Sequence, residues 1–227
     1  MNVEAGADGL LANIFNSLRG HRDLEYHLDS GLALRTKRLL LRDFREEDWE
    51  SVHVYASDPE VVKYVSWGPN TEEETKGFVR QAMKWGEERP RLHFELAVIL
   101  KADDTLIGGC GLNLSSSQNR EDYVGYCFNR IYWHAGFATE AVETLILYGF
   151  EQLGLHRIWA TCDPDNLASA RVLEKVGMKR EAQLRENMWM RGRWRDSLIY
   201  AVLDREWSDL RGRDAAKRKE KDAAGVA

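Results

Sequence analysis

Between Leu32 and Trp207 the chain switches repeatedly between a two-residue and a 3.6-residue apolar period, and the order of the switches constrains the fold most. "LRTKRLLLRDF" has the pattern of a strand. "REEDWESVHVYASD" and "TEEETKGFVRQAMKWGEE" have that of helices, the second opened by a Thr71–Glu74 capping box. "HFELAVILKADDTLIGGCGLNLS" is a hairpin around an Ala-Asp-Asp turn, and "DYVGYCFN" is a short strand with Gly125 inside it. From Thr139 to Leu153 an apolar stripe (Ala141, Val142, Leu145, Ile146, Tyr148, Phe150) predicts a helix that stops at Gly154. "HRIWATCD" is a strand, and "NLASARVLEKVG" a helix capped by Asn166 and stopped by Gly177. "QLRENMWM" and "RWRDSLIYAVL" flank an Arg-Gly turn. The order β-α-α-β-β-β-α-β-α-β-β lacks strict βαβ alternation. It predicts an α+β (mixed α/β) domain, a mixed sheet with helices packed on it.

The 227 residues divide into an extension at 1–30, a domain at 31–207 and a charged, Ala-rich tail at 208–227. In the extension Leu10, Leu11, Ile14, Phe15 and Leu18 share one helical face. That face suits the chain's own domain first, and otherwise a membrane surface or a second copy, so a homodimer stays open. A net charge of −5 gives no basic footprint for nucleic acid or an anionic membrane. No apolar run reaches the ~18 residues of a membrane span, and Glu4 and Asp8 stand where a signal peptide carries positive charge. Cys110, Cys127 and Cys162 are scattered, with no CxxC pair and no zinc spacing. They are expected to be reduced thiols packed in strands of a cytoplasmic protein with no metal.

"YWHAGFATEA" (Tyr132–Ala141) puts small residues where the long helix begins. The first four N–H groups of a helix lack internal partners, and the helix dipole makes that end positive. Ala135, Gly136 and Ala138 would let a phosphate reach the backbone, with Thr139 adding a hydroxyl. No GxxxxGK[ST] loop is present, and "GGCG" at 108–111 is not a GxGxxG fingerprint. Alone, the stretch is equally a glycine turn. A second helix start follows the next strand, with Asn166 and Ser169 one turn apart, so two strand ends would open on one cleft. Asn166 is equally a plain cap, and Ser169 an ordinary first-turn serine.

Together "RLLLRDFREEDWE", "LIGGCGL", "VGYCFNRIYWHAGFATEAV", "NLASARVLEKVGM" and "RWRDSLIYAVLDREW" resemble, in order, the Gcn5-related N-acetyltransferase (GNAT) superfamily and its RimJ/RimL-like branch. The resemblance implies a three-layer fold with helices on both faces. Its central sheet would be mixed but mostly antiparallel, and splayed between the fourth and fifth strands. It implies acetyl-CoA as co-substrate and a primary amine, on a protein N-terminus or a small molecule, as acceptor. The family's Q/R-x-x-G-x-G/A loop falls on Trp133–Ala138, with Trp133 replacing the Gln or Arg. By this likeness the pyrophosphate would sit on His134, Ala135, Gly136, Phe137, Ala138 and Thr139, with His134 either touching it or, as preferred, facing solvent. The pantetheine would run beside Tyr126, Cys127 and Phe128, flanked by Asn166 and Ser169.

The family's Glu two residues before Gly125 is Tyr123 here, and a second-helix Tyr used by some relatives is Leu173. That leaves Asp122, Glu95 and Glu186 as candidate bases, Ser169 as the acid and Tyr126 as a possible proton shuttle. "YVSWGPN" is expected to lip the acceptor site, with Trp67 either stacking on substrate or anchoring its loop. Loss of the usual Glu also leaves open a catalytically weak acyl-CoA-sensing or partner-binding module.

Overall fold

The structure is a computed structural model that describes residues 31–212. The amphipathic segment expected at 1–30, and with it the question of a dimer helix, lies outside the described residues, as does 213–227.

Eight strands form one sheet: β1 (Ala33–Arg35), β2 (Leu39–Asp43), β3 (His93–Leu100), β4 (Thr105–Ser116), β5 (Glu121–Phe128), β6 (Arg157–Cys162), β7 (Lys179–Met190) and β8 (Arg193–Leu203). The helices are α1 (Trp49–Ala56), α2 (Glu72–Glu87), α3 (Phe137–Glu151), α4 (Leu167–Lys175) and α5 (204–212). Strand order is β1-β2-β3-β4-β5-β6-β8-β7, antiparallel throughout except for β5 beside β6. The first expected strand is in fact the β1–β2 hairpin. Thr36 turns the chain by donating its N–H to the Leu39 carbonyl (2.9 Å) and accepting the Leu39 N–H on its hydroxyl (2.7 Å). A threonine side chain standing in for backbone partners makes this turn without Gly or Pro.

Strand alternation sends Leu39, Leu41, Leu96, Val98 and Ile107 to one face, under Val142, Leu145 and Ile146 of α3 and Leu173 of α4. Ala97, Ile99 and Leu106 point the other way, under Val52 and Tyr55 of α1 and Val79 of α2. The result is three layers around two apolar clusters. The capping box at Thr71 starts α2 as the sequence predicts. At the far end α5 runs past Trp207, the expected domain boundary. Trp207 is buried with its ring 6.3 Å from that of Phe150.

The parallel β5–β6 ladder is short. It pairs Glu121 with Arg157, Asp122 with Ile158 and Tyr123 with Trp159, and then stops, although β5 continues to Phe128 and β6 to Cys162. These are the fourth and fifth strands of the sequence reading, renumbered by the extra hairpin strand. From Val124 onward β5 lacks a ladder on this side, so its backbone groups face a gap where an extended chain could pair.

Candidate active site

At one end of the gap, α3 begins at Gly136, which has φ +80° and makes no side-chain cap. His134 also has positive φ (+61°), and residues 133–136 are exposed. Left-handed residues at 134 and 136 lead into a helix start whose first N–H groups carry no side-chain cap, an exposed backbone nest of the kind that suits an anion. Trp133 donates its indole N–H to the Phe128 carbonyl (2.8 Å) and ties the loop to the end of β5. Arg38 braces the other side. It donates to the Ala135 carbonyl (2.9 Å), pairs through Nε with Glu140 (2.7 Å) and stacks 4.4 Å over Phe137. Burial opposes ionisation of Glu140. Hydrogen bonds from Thr36 and Arg38 outweigh it and hold the carboxyl below its usual range. A carboxylate in the first turn of α3 is thereby neutralised. A guanidinium nitrogen stands 3.5 Å from where a Gly136 Cβ would be. Arg38 and Glu140 were not singled out from sequence.

Along the gap, Tyr126 of β5 and Ser169 of α4 meet with their hydroxyls 2.8 Å apart. Asn166 accepts the Ser169 N–H on Oδ1 (3.1 Å), so it is the cap of α4 and holds Ser169 in the first turn. Burial lifts the Tyr126 phenol well above its ordinary range, partly offset by the Ser169 hydrogen bond, so it stays protonated. Cys127 turns to the opposite face, its thiol pushed up to about 12 by burial and so un-ionised.

On that opposite face Glu95, Gly111 and Gly125 lie side by side across β3, β4 and β5. A Cβ on Gly111 would fall 2.6 Å from the Glu95 carboxyl, so glycine is what lets that carboxyl lie across β4. Asn113 donates to Glu95 Oε1 (2.7 Å) and accepts from His93 Nδ1 (2.9 Å). Burial raises the Glu95 pKa, and the Asn113 hydrogen bond only partly opposes it. Tyr123 lies along Gly125 and packs edge-on against Trp159 (5.0 Å), beside the gap.

The other two candidate carboxylates are placed differently. Glu186 is exposed at an irregularity of β7, with φ +49°, and is absent from the cleft lining. Asp122 is 2% exposed on the α3 and α4 side of the sheet, opposite to Glu95, and its Oδ1 has no hydrogen-bond partner. Burial raises its pKa to about 7, with His93 pulling slightly the other way. Folding therefore tightens proton binding at Asp122. Its contribution favours the folded state below the unfolded carboxyl pKa of ~4 and is lost as pH rises to about 7, on the order of a few kcal/mol. Asp122→Asn is expected to abolish that component. Urea midpoints at pH 5 and pH 8 should converge in the variant and differ in the parent, and equal differences in both would refute this.

Among the described residues no cluster of His, Cys, Asp or Glu is arranged to hold a metal ion, and no helix is long and apolar enough to cross a membrane.

The gap between the diverging parallel strands thus has the uncapped start of α3 at one end and a pair of hydroxyls along it. The family model described as "Acetyltransferase (GNAT) domain" matches residues 38–179. The chain is 38% identical over 177 residues to the uncharacterized N-acetyltransferase YnaD of Bacillus subtilis, covering 78% of this chain and 100% of that one. A crystal structure of a GNAT-family acetyltransferase from Bacillus anthracis superposes with TM-score 0.69 at 36% identity, covering 77% of this chain and 99% of that one. The [ribosomal protein uS5]-alanine N-acetyltransferase of Escherichia coli is 24% identical over 188 residues, 78% of this chain and 93% of that one. The chain belongs to the GNAT acetyltransferase family and is an acetyl-CoA-dependent acetyltransferase.

Proposed function

We propose that the protein moves an acetyl group from acetyl-CoA to a primary amine that attacks directly while both substrates occupy one cleft. The observation that carries this reading is the division of labour across the β5–β6 gap. The Tyr126–Ser169 hydroxyl pair lies on one side, and the half-buried carboxyl of Glu95, held by Asn113, lies on the other. The nest at His134–Thr139, backed by Arg38, would take the pyrophosphate. The free edge of β5 from Val124 to Phe128 would pair with the pantetheine.

The chain's own groups then have defined tasks. Glu95 takes the proton that the amine nitrogen must lose, directly or through one water, as that nitrogen bonds to the acetyl carbon. Backbone N–H groups of β5 beside the gap face the acetyl oxygen as it gains charge. As the carbon–sulfur bond breaks, the hydrogen-bonded Ser169–Tyr126 pair gives a proton to the departing sulfur through Ser169, and solvent returns that proton to the pair once CoA thiol has left. Asn166 orients Ser169, and holding both reactants in one cleft supplies much of the remaining rate. No metal enters the scheme. Three free thiols, Cys110, Cys127 and Cys162, support a reducing, cytoplasmic setting.

Titration calorimetry should detect acetyl-CoA binding, and an amine panel should release CoA thiol. Absence of heat at millimolar acetyl-CoA would sink the proposal. Tyr123, standing where the family carries Glu, favours a second reading as a binding module with weak turnover. Saturable acetyl-CoA binding without thiol release for any amine would select it.

A further inference from the structure

The β7–β8 hairpin ends in an Arg191-Gly192 turn with both residues at positive φ (+49° and +78°). This two-residue turn suits the twist of a hairpin, but a left-handed Arg is strained. Its side chain is committed elsewhere. The guanidinium donates to the carbonyls of Val62, Lys63, Val65, Trp67 and Gly68, at 2.9–3.4 Å. Arg195 of β8 adds a contact to the Lys63 carbonyl (3.5 Å). A guanidinium that satisfies a loop's carbonyls fixes a segment that has no ladder of its own. The hairpin tip and the 62–68 loop are therefore fastened together.

Beside this clasp lies a cavity of about 160 Å³, lined in part by Tyr123 of β5 and by Thr161 and Cys162 of β6, the two strands that flank the gap. Tyr64, Trp67, Tyr123 and Met188 give part of its wall aromatic and thioether character, and Thr161 and Ser197 add hydroxyls. Its two carboxylates are already engaged. Asp163 pairs with Arg195 Nε (2.9 Å), both nearly buried, and Asp196 accepts from the Glu186 N–H (2.9 Å) and the Gln183 amide (2.8 Å). The acidic run Glu72–Glu74 on α2 is spent too, on Lys76, Arg80 and the capping box.

We infer that this clasped cavity is the acceptor pocket and that it takes a primary amine on a compact, uncharged, apolar or aromatic frame, with Arg191 as the positioning residue that closes it. The inference rests on the transferase reading above and narrows its acceptor. An extended peptide needs an open groove, whereas the Arg191 bonds tie the hairpin tip to the 62–68 loop, whose Val65 and Trp67 line the cavity. A polyamine needs a carboxylate for each further ammonium, and the wall has none to spare. An aromatic or thioether wall instead rewards a flat apolar body through burial and ring contacts.

The test compares kcat/KM, by thiol release at saturating acetyl-CoA, for 2-phenylethylamine, spermidine and a hexapeptide with a free N-terminal alanine. The intact protein should favour 2-phenylethylamine by about tenfold or more. Arg191→Ala should raise the KM for 2-phenylethylamine by roughly tenfold with kcat little changed, and shrink its margin over the hexapeptide. Acetyl-CoA affinity should stay constant. Arg191→Lys, which keeps the charge and loses the fork, should lie between. Should Arg191→Ala fail to fold, Trp67→Ala carries the same expectation for KM. Preference of the intact protein for spermidine or the hexapeptide would overturn the inference and leave the transferase reading standing, as would unchanged KM and margin in the variants. Silence with all three amines despite bound acetyl-CoA would overturn the inference, and only silence across the wider amine panel would overturn the transferase reading with it.

Discussion

Glu95→Gln should lower kcat/KM for the amine by about 10²- to 10⁴-fold and leave acetyl-CoA affinity within about twofold. The expectation follows from position and protonation together. Glu95 shares its face with Gly111 and Gly125, so no side chain on β4 stands between its carboxyl and β5. Asn113, itself fixed by His93, orients the carboxyl, and burial raises its pKa. A base must be ionised to act, so the acid limb of the pH–kcat/KM profile should lie above the ordinary carboxylate range and vanish in Glu95→Gln. Gly111→Ala probes the same group from outside. Its methyl would collide with the Glu95 carboxyl. It should therefore depress turnover without touching a titratable residue. A Glu95→Gln enzyme of near-normal rate would return the base to Asp122 or to solvent. Asp122 is the weaker choice because its carboxyl is sealed on the other side of the sheet.

The parts of this site differ in how visible they were in the sequence. The order of elements, the capping box at Thr71 and the uncapped start at Gly136 depend on local period and local chemistry, and they read directly. The splay was implied by a resemblance, since no residue pattern announces where a ladder stops. The β1–β2 turn was missed because a threonine hydroxyl replaces the usual Gly or Pro signal. The Arg38–Glu140 brace and the Arg191 clasp join residues more than a hundred positions apart. Only the Arg-Gly turn of the clasp was readable, and nothing near Arg191 in the chain points to the 62–68 carbonyls. Glu95 was one carboxylate among three. What separates it is its surroundings: the bare Gly111 across the ladder and the Asn113–His93 pair, which exist only once β3 and β4 are in register.

Gly136→Val should weaken acetyl-CoA binding by roughly a hundredfold, the other large effect expected. In the free protein a Cβ at this position meets only Arg38, at 3.5 Å, an ordinary contact. The damage must come from the backbone. A φ of +80° is open to glycine and strained by about 1–3 kcal/mol for a β-branched residue. Valine would either carry that strain or turn the helix start away, and the second course removes the N–H groups from the anion. Loss of stability and loss of binding must be told apart, and the chain offers a control. Gly154 also has positive φ (+63°), has open space where a Cβ would go, and lies at the far end of α3. Gly154→Val should cost comparable stability in a urea melt and leave acetyl-CoA affinity intact by calorimetry. If both variants lose affinity alike, strain acts through the whole helix and the nest at 134–139 is not the phosphate site. If only Gly136→Val loses it, the small residues of "YWHAGFATEA" are there for the anion rather than for the turn.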